Sequence, residues 1–136
     1  MDKHIIERIR NAYGAFSRGD IQGIVDAVDL DANALWIEPE EFYAGGIYRG
    51  RQEIMKYYTL SYESSEEVQS VPEEIIEIDD KIFVLVHFRA VPRGGGEPRE
   101  GRIVDVFTVR DGKIVQMQAY SNPEEARKAV GLPSQQ

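Results

Sequence analysis

The sequence contains no cysteine. Disulfides, thiol nucleophiles, iron–sulfur clusters and Cys-ligated zinc are excluded together. Histidine is scarce: His4 and His87 are the only two. They form no HxH, HxxxH or HExxH pattern, so no metal site is expected. Basic residues are in deficit, with 16 Lys and Arg against 24 Asp and Glu and a net charge of −8. Such a chain repels a phosphate backbone, and no nucleic-acid partner is expected. Aromatics do not alternate with basic residues on one strand, as a single-strand platform requires. No apolar run reaches the roughly 18 residues of a membrane helix. The N-terminal MDKHIIERIR lacks a small-residue cleavage site behind an apolar stretch, so the expected setting is the cytoplasm. G-x-G-x-x-G, Walker and G-x-S-x-G motifs are missing, and no cofactor is expected. Gly94-Gly95-Gly96 joins two strands and precedes no helix, so it reads as a hairpin tip.

What is present suits one soluble domain over residues 1–136. The chain is 42% hydrophobic and 29% charged, the balance of a globular protein. Ile5, Ile6, Ile9, Ala12, Tyr13 and Phe16 recur at helical spacing and predict an amphipathic helix over 3–17. Gly19 ends it, and Asp20 can cap a second short helix, IQGIVDAV. ALWIE predicts a strand stopped by Pro39. PEEFYAGGIYRG reads as an ordered loop because it keeps Phe42, Tyr43 and Tyr48. A helix from Gly50 to about Tyr62 places Ile54, Tyr57, Tyr58 and Tyr62 on one side.

The period then changes. VQSVPEEIIEI, KIFVLVHFRAV, GRIVDVFTVR and KIVQMQAYS are four β-rich runs separated by turn residues. Asp111-Gly112 is a hairpin signal because both residues tolerate positive φ. Pro123 opens a last helix that Gly131 can end. Helices followed by strands predict an α+β fold with helices on one face of a curved antiparallel sheet. Charge is uneven: eight acids and no base lie between Lys56 and Lys81, and five arginines lie from Arg89 to Arg110. These segments are either an ordinary solvated edge and basic hairpin or two patches that meet across a subunit contact.

This order of elements resembles the SnoaL-like and ketosteroid-isomerase-like proteins of the nuclear transport factor 2-like superfamily. The likeness rests on Ala15-Phe16-Ser17-Arg18-Gly19-Asp20, Trp36-Ile37-Glu38-Pro39, and Gly46-Ile47-Tyr48-Arg49-Gly50-Arg51 with Glu53-Ile54. It continues in Val109-Arg110-Asp111-Gly112-Lys113-Ile114-Val115 and in Glu125-Ala126 through Gly131-Leu132. The resemblance implies a cystatin-like cone enclosing an apolar pocket, commonly a homodimer joined through the convex sheet face. It does not fix a reaction, because the superfamily holds isomerases, cyclases, hydrolases, dehydratases and plain binders.

Three side chains are candidates for chemistry. Alternation puts Ile103, Asp105, Phe107 and Val109 on one face of RIVDVFTV. An ionised Asp105 among apolar neighbours would cost ~4 kcal/mol for a rise of ~3 pKa units. It is therefore neutral, or paired to an arginine of the basic hairpin, or turned outward. In the resemblance it occupies the oxyanion-stabilising position, where a neutral acid donates a hydrogen bond. Glu38 shares a face with Ala34 and Trp36. Glu38-Pro39 resembles the Asp-Pro pair that carries the isomerases' general base. Its plainer reading groups it with Glu40 and Glu41 in a solvated acidic loop. Tyr58 matches a pocket tyrosine whose hydroxyl would donate to Asp105 or to a ligand oxygen. Otherwise it is a core aromatic, the reading that also covers Tyr13, Tyr43, Tyr48 and Tyr57.

The pocket is expected to be lined by Ala12, Phe16, Trp36, Tyr58, Val84, Val86, Asp105, Phe107, Met117 and Ala119. The resemblance also implies that His87 and Arg89 lie on the opposite, convex face. Departures from the family narrow the chemistry. Val84, Val86 and Ala119 stand where the epoxide hydrolases and cyclases carry acids or Arg, and the isomerases' helix-1 tyrosine falls on Ala12. Tyr13 is adjacent but turned ~100° around the helix. The expected function is a pocket for a small, apolar, oxygen-bearing molecule, with cofactor-free proton transfer if it is catalytic. The alternative is a non-catalytic ligand-binding or dimerisation module.

Overall fold

The computed structural model describes residues 3–28, 30–42 and 44–135. Four helices and six strands follow one another: α1 Lys3–Ser17, α2 Ile21–Ala27, β1 Leu30–Glu38, β2 Gly46–Arg49, α3 Gly50–Glu63, β3 Ser65–Ile78, β4 Lys81–Pro92, β5 Arg99–Arg110, β6 Lys113–Tyr120 and α4 Pro123–Val130. The strands form one curved sheet in the order β2-β1-β6-β5-β4-β3. This is the expected α+β, cystatin-like architecture. Neighbouring strands are antiparallel except β1 and β6, which run parallel. The sheet is therefore mixed. A parallel pair needs a long connection, and everything from β2 to β5 supplies it.

Local chemistry sets the ends of the elements. Asp20 caps α2 by accepting from the Gly23 N–H at 2.9 Å. Asn122 caps α4 through the Glu124 and Glu125 amides, with Pro123 at the first helical position. Asn122→Ala should therefore cost about 1 kcal/mol in a urea melt; an unchanged midpoint would show that the tertiary contacts of α4 hold it without the cap. At the β5–β6 turn Asp111 and Gly112 take φ of 52° and 77°, the positive values that a tight hairpin turn requires. One element escaped the sequence. The predicted loop over 39–50 contains β2, whose four residues pair only with β1. Tyr48 of β2 packs on Tyr57 at 5.2 Å and donates to the Ala44 carbonyl at 2.9 Å. Tyr43 lies outside the described residues.

The sheet buries side chains on both faces. On the concave side α1, α2 and α3 cover Trp36, Ile82, Val84, Val86, Phe107 and Met117. On the convex side α4 and its C-terminal extension pack Ala126, Val130 and Leu132 on Phe83, Val104 and Val106. Arg127 ties this layer down: its Nε donates to the Pro133 carbonyl at 2.6 Å and its guanidinium stacks over Phe83. The acidic and basic segments meet within the chain. Arg102 pairs with Glu73 at 2.6 Å, and Arg89 with Glu67 at 3.7 Å. His87 approaches Glu100 at 2.8 Å. No helix among the described residues is long and apolar enough to cross a membrane.

Candidate active site

The sheet register brings two acids to one level. β1 sets Ile37 beside Gln118 of β6, and β5 sets Asp105 opposite Ala119 of β6. Glu38 and Ala119 are the next residues of their parallel strands. The small methyl of Ala119 therefore separates the two carboxyl groups, whose strands are two spacings, about 10 Å, apart. On its other side Asp105 faces Val84 of β4. Nothing beside either acid on the sheet can solvate it.

Helices close the space above. α1 contributes Ala12, Tyr13 and Phe16; α3 contributes Tyr57 and Tyr58; β1 and β5 contribute Trp36, Ile103 and Phe107. Together with Glu38, Asp105 and Met117 they line a cavity of about 70 Å³. It shares Phe16, Glu38, Tyr57, Ser70 and Ile103 with an adjoining outer chamber of about 160 Å³, lined also by Phe42, Phe88 and the C-terminal end of α3. Phe107 meets Tyr13 and Trp36 edge to face, so the walls are rigid aromatic surfaces.

Each acid is held by one tyrosine. The Tyr13 hydroxyl donates to Oδ2 of Asp105 at 2.5 Å, and the Tyr57 hydroxyl to Oε1 of Glu38 at 3.0 Å. No ion pair reaches either carboxyl among the described residues. Burial raises the Asp105 pKa from 3.8 to about 6, against the opposing pull of the Tyr13 bond. Glu38, only 6% exposed, is raised well above the usual carboxylate range. Burial is the main cause, the Asp105 charge adds to it, and the Tyr57 bond opposes it. Burial and the nearby acids also push the Tyr13, Tyr57 and Tyr58 phenols up, so all three remain protonated donors. Two carboxyl groups in one hollow titrate as a pair. Burial and the Asp105 charge both favour the protonated form of Glu38.

Of the two acceptors expected for the third candidate, one is taken by another tyrosine. Tyr58 does not donate to Asp105. Its oxygen accepts from Nε1 of Trp36 at 3.1 Å, which leaves its own proton for an acceptor in the cavity. Tyr13 takes the place beside Asp105 that was foreseen for Tyr58. The turn that separates Tyr13 from Ala12 swings it toward β5, while Ala12 stays on the wall. Glu38 leaves the exposed company of Glu40 and Glu41 because β1 carries it one residue further into the sheet than the loop begins. Ala12, Phe16, Trp36, Phe107 and Met117 line the cavity; Val84, Val86 and Ala119 do not. Those three are packed in the sheet beneath it, their side chains too short to rise past the larger residues around them. Tyr13 and Tyr57 are the residues that sequence reasoning passed over. Their signal was helical spacing, Ile9 to Tyr13 and Ile54 to Tyr57, and it read equally as core.

Solved structures share this architecture. An NTF2-like protein of unknown function from Burkholderia pseudomallei is 22% identical with a TM-score of 0.78, over 96% of this chain and 98% of that one. A Catenulispora acidiphila protein with a ketosteroid isomerase-like fold, in complex with trimethylamine, is 16% identical with a TM-score of 0.73, over 93% and 94%. A protein from Jannaschia named for SnoaL-like polyketide cyclases is 14% identical with a TM-score of 0.71, over 98% and 95%. At these identities the likeness is one of fold. No curated protein matches the chain. The profile of the SnoaL-like domain does match, from Ile9 in α1 to Met117 in β6. That span holds both acids and all three tyrosines of the hollow, and the chain is a member of the SnoaL-like domain family.

Proposed function

We propose that the chain catalyses cofactor-free proton transfer on a small, apolar, carbonyl-bearing molecule. The observation that supports this most is the pair of acids in one aromatic hollow, each bonded by a tyrosine and neither by a cation. Such a pair holds one proton between two carboxyl groups near neutrality, which supplies a base and an acid at once. Asp105, the weaker proton holder, is the base. It removes a proton from the carbon beside the carbonyl; the C–H electron pair becomes the new C=C bond, and the C=O π pair moves onto the oxygen. Glu38, still protonated, and the Tyr58 hydroxyl donate to that oxygen as its charge grows. Trp36 donating to Tyr58 makes that hydroxyl a better donor. Asp105 then returns the proton to the same or another carbon. These roles reverse the sequence expectation, in which Glu38 was the base and Asp105 the neutral donor.

The isomerisation of 3-cyclohexen-1-one to the conjugated enone, followed by ultraviolet absorbance, separates the roles. Wild type should exceed buffer, with a rate that rises as pH passes about 6 and Asp105 ionises. Asp105→Asn should lose roughly 10³-fold, the usual worth of a general base. Glu38→Gln keeps a donor and should lose only about tenfold. Equal damage from the two changes would refute the assignment of base and acid. A wild-type rate no higher than buffer, with the ketone still bound, would favour a non-catalytic binding module.

A further inference from the structure

We infer that the ligand carries an anionic group at the end remote from its carbonyl, and that Arg99 at the mouth of the outer chamber binds it. This rests on the reading of the inner hollow as the seat of the carbonyl end. Arg99 is the one basic side chain among the described residues lining either chamber. It begins β5, opposite Ala90, and is exposed. Its neighbours on the same hairpin are engaged: Arg89 with Glu67, Arg102 with Glu73, and Arg93 with the Tyr62 carbonyl at 3.2 Å. Glu100 is turned to His87. No carboxylate among the described residues pairs with Arg99.

The outer chamber offers few other donors for a negative charge. The Ser61 and Ser64 hydroxyls spend their protons on the Tyr57 and Ser61 carbonyls of α3, at 3.1 Å and 2.9 Å. Ser65 and Ser70 also line the chamber and are neutral; the Arg99 guanidinium, with five N–H donors in a planar fork, is its one charged donor. Glu38 lines both chambers, Asp105 the inner one alone and Arg99 the outer one alone, so the Asp105 carboxyl disfavours an anion at the inner end and the one cation sits at the outer end. Repulsion at one end and attraction at the other admit an amphipathic ligand in a single orientation. Phe42 and Phe88 flank the space between the two ends and suit a flat apolar body. The substrate class is thus a keto acid with its carbonyl and its carboxylate at opposite ends of an apolar core.

Matched probes test this. 4-Acetylbenzoate and its methyl ester share the ketone and the ring, and differ in the charge at the far end. Amide chemical shifts would be titrated with each probe at pH 7.5 in low salt. Arg99→Gln should weaken 4-acetylbenzoate about tenfold and leave the ester within twofold. Arg99→Lys should recover part of the loss, and 0.5 M NaCl should reproduce it in wild type, since an exposed ion pair is screened. A loss of the same size for both probes, or none for the carboxylate, would overturn the inference. Ala12→Phe fills the inner hollow and should abolish both probes equally. If it does not, the inner hollow is not the seat of the carbonyl, and the Arg99 result is read on its own. If neither probe binds wild type, both readings fall.

Discussion

Asp105→Asn should make the protein more stable at pH 8, by about 1–2 kcal/mol, while abolishing turnover. Burial moves the Asp105 pKa from 3.8 to about 6, which is worth about 3 kcal/mol at ~1.4 kcal/mol per unit. The sign follows from proton binding. Between those two values the folded state holds a proton that the unfolded state has released, so wild-type stability falls as pH rises through the window. Above it the whole cost of a buried charge is present; below 3.8 both states are protonated and the cost is gone. Asn carries no charge and escapes that cost. It forfeits part of the gain because Tyr13 now donates to a neutral oxygen, where it had donated to a carboxylate. Thermal melts should show the variant about 5 °C above wild type at pH 8 and level with it at pH 3.5. A variant less stable than wild type at pH 8 would mean that Asp105 is a structural acid and that the cost of its burial is met elsewhere. A base kept at the expense of stability is the pattern expected of a group selected for its chemistry.

Trp36→Ala should be the most damaging single change in the hollow, at about 3–5 kcal/mol. Trp36 is 2% exposed, lies beside Met117 in the sheet register, and meets Phe107 edge to face. Truncation leaves a void with rigid aromatic walls that cannot collapse. Against a total stability of ~5–15 kcal/mol, the loss places the variant near the edge of folding. Trp36→Phe separates packing from chemistry. It keeps most of the apolar volume but removes the Nε1–H that orients Tyr58. Its melt should fall by no more than about 2 kcal/mol, and its enone isomerisation about tenfold. Loss of turnover only in proportion to loss of folded protein would assign Trp36 to packing alone.

The fold was legible because its signals are local. Helical spacing in IIERIRNAYGAF, the Asp111-Gly112 turn and the Pro123 to Gly131 bracket each fix an element from a few adjacent residues. The site was legible only in part, because its geometry depends on distant pairing. The family resemblance places Asp105, Val84 and Ala119 on one face, and they do share it. Alternation says nothing about depth, so it could not tell that the acid reaches the cavity and its two neighbours do not. Glu38 and Asp105 come to one level only through the parallel pairing of β1 with β6, and no pattern within either strand encodes that partner. Tyr13 was hidden for a related reason. A tyrosine at core spacing looks like any other buried ring until its hydroxyl finds a carboxylate on another element.

The same strand pairing also bears on how the protein is made. Leu35 must wait for Gln116, about eighty residues later, before β1 gains its inner neighbour. At ordinary translation speed that interval is on the order of ten seconds. Until then the nascent chain holds β1–β2 and β3–β4–β5 as two separate antiparallel pieces, with the inner border of β1 open to any other extended segment. The join that assembles the two acids therefore waits for the last strand to be made, and the stretch of synthesis before it is when the chain most needs shelter.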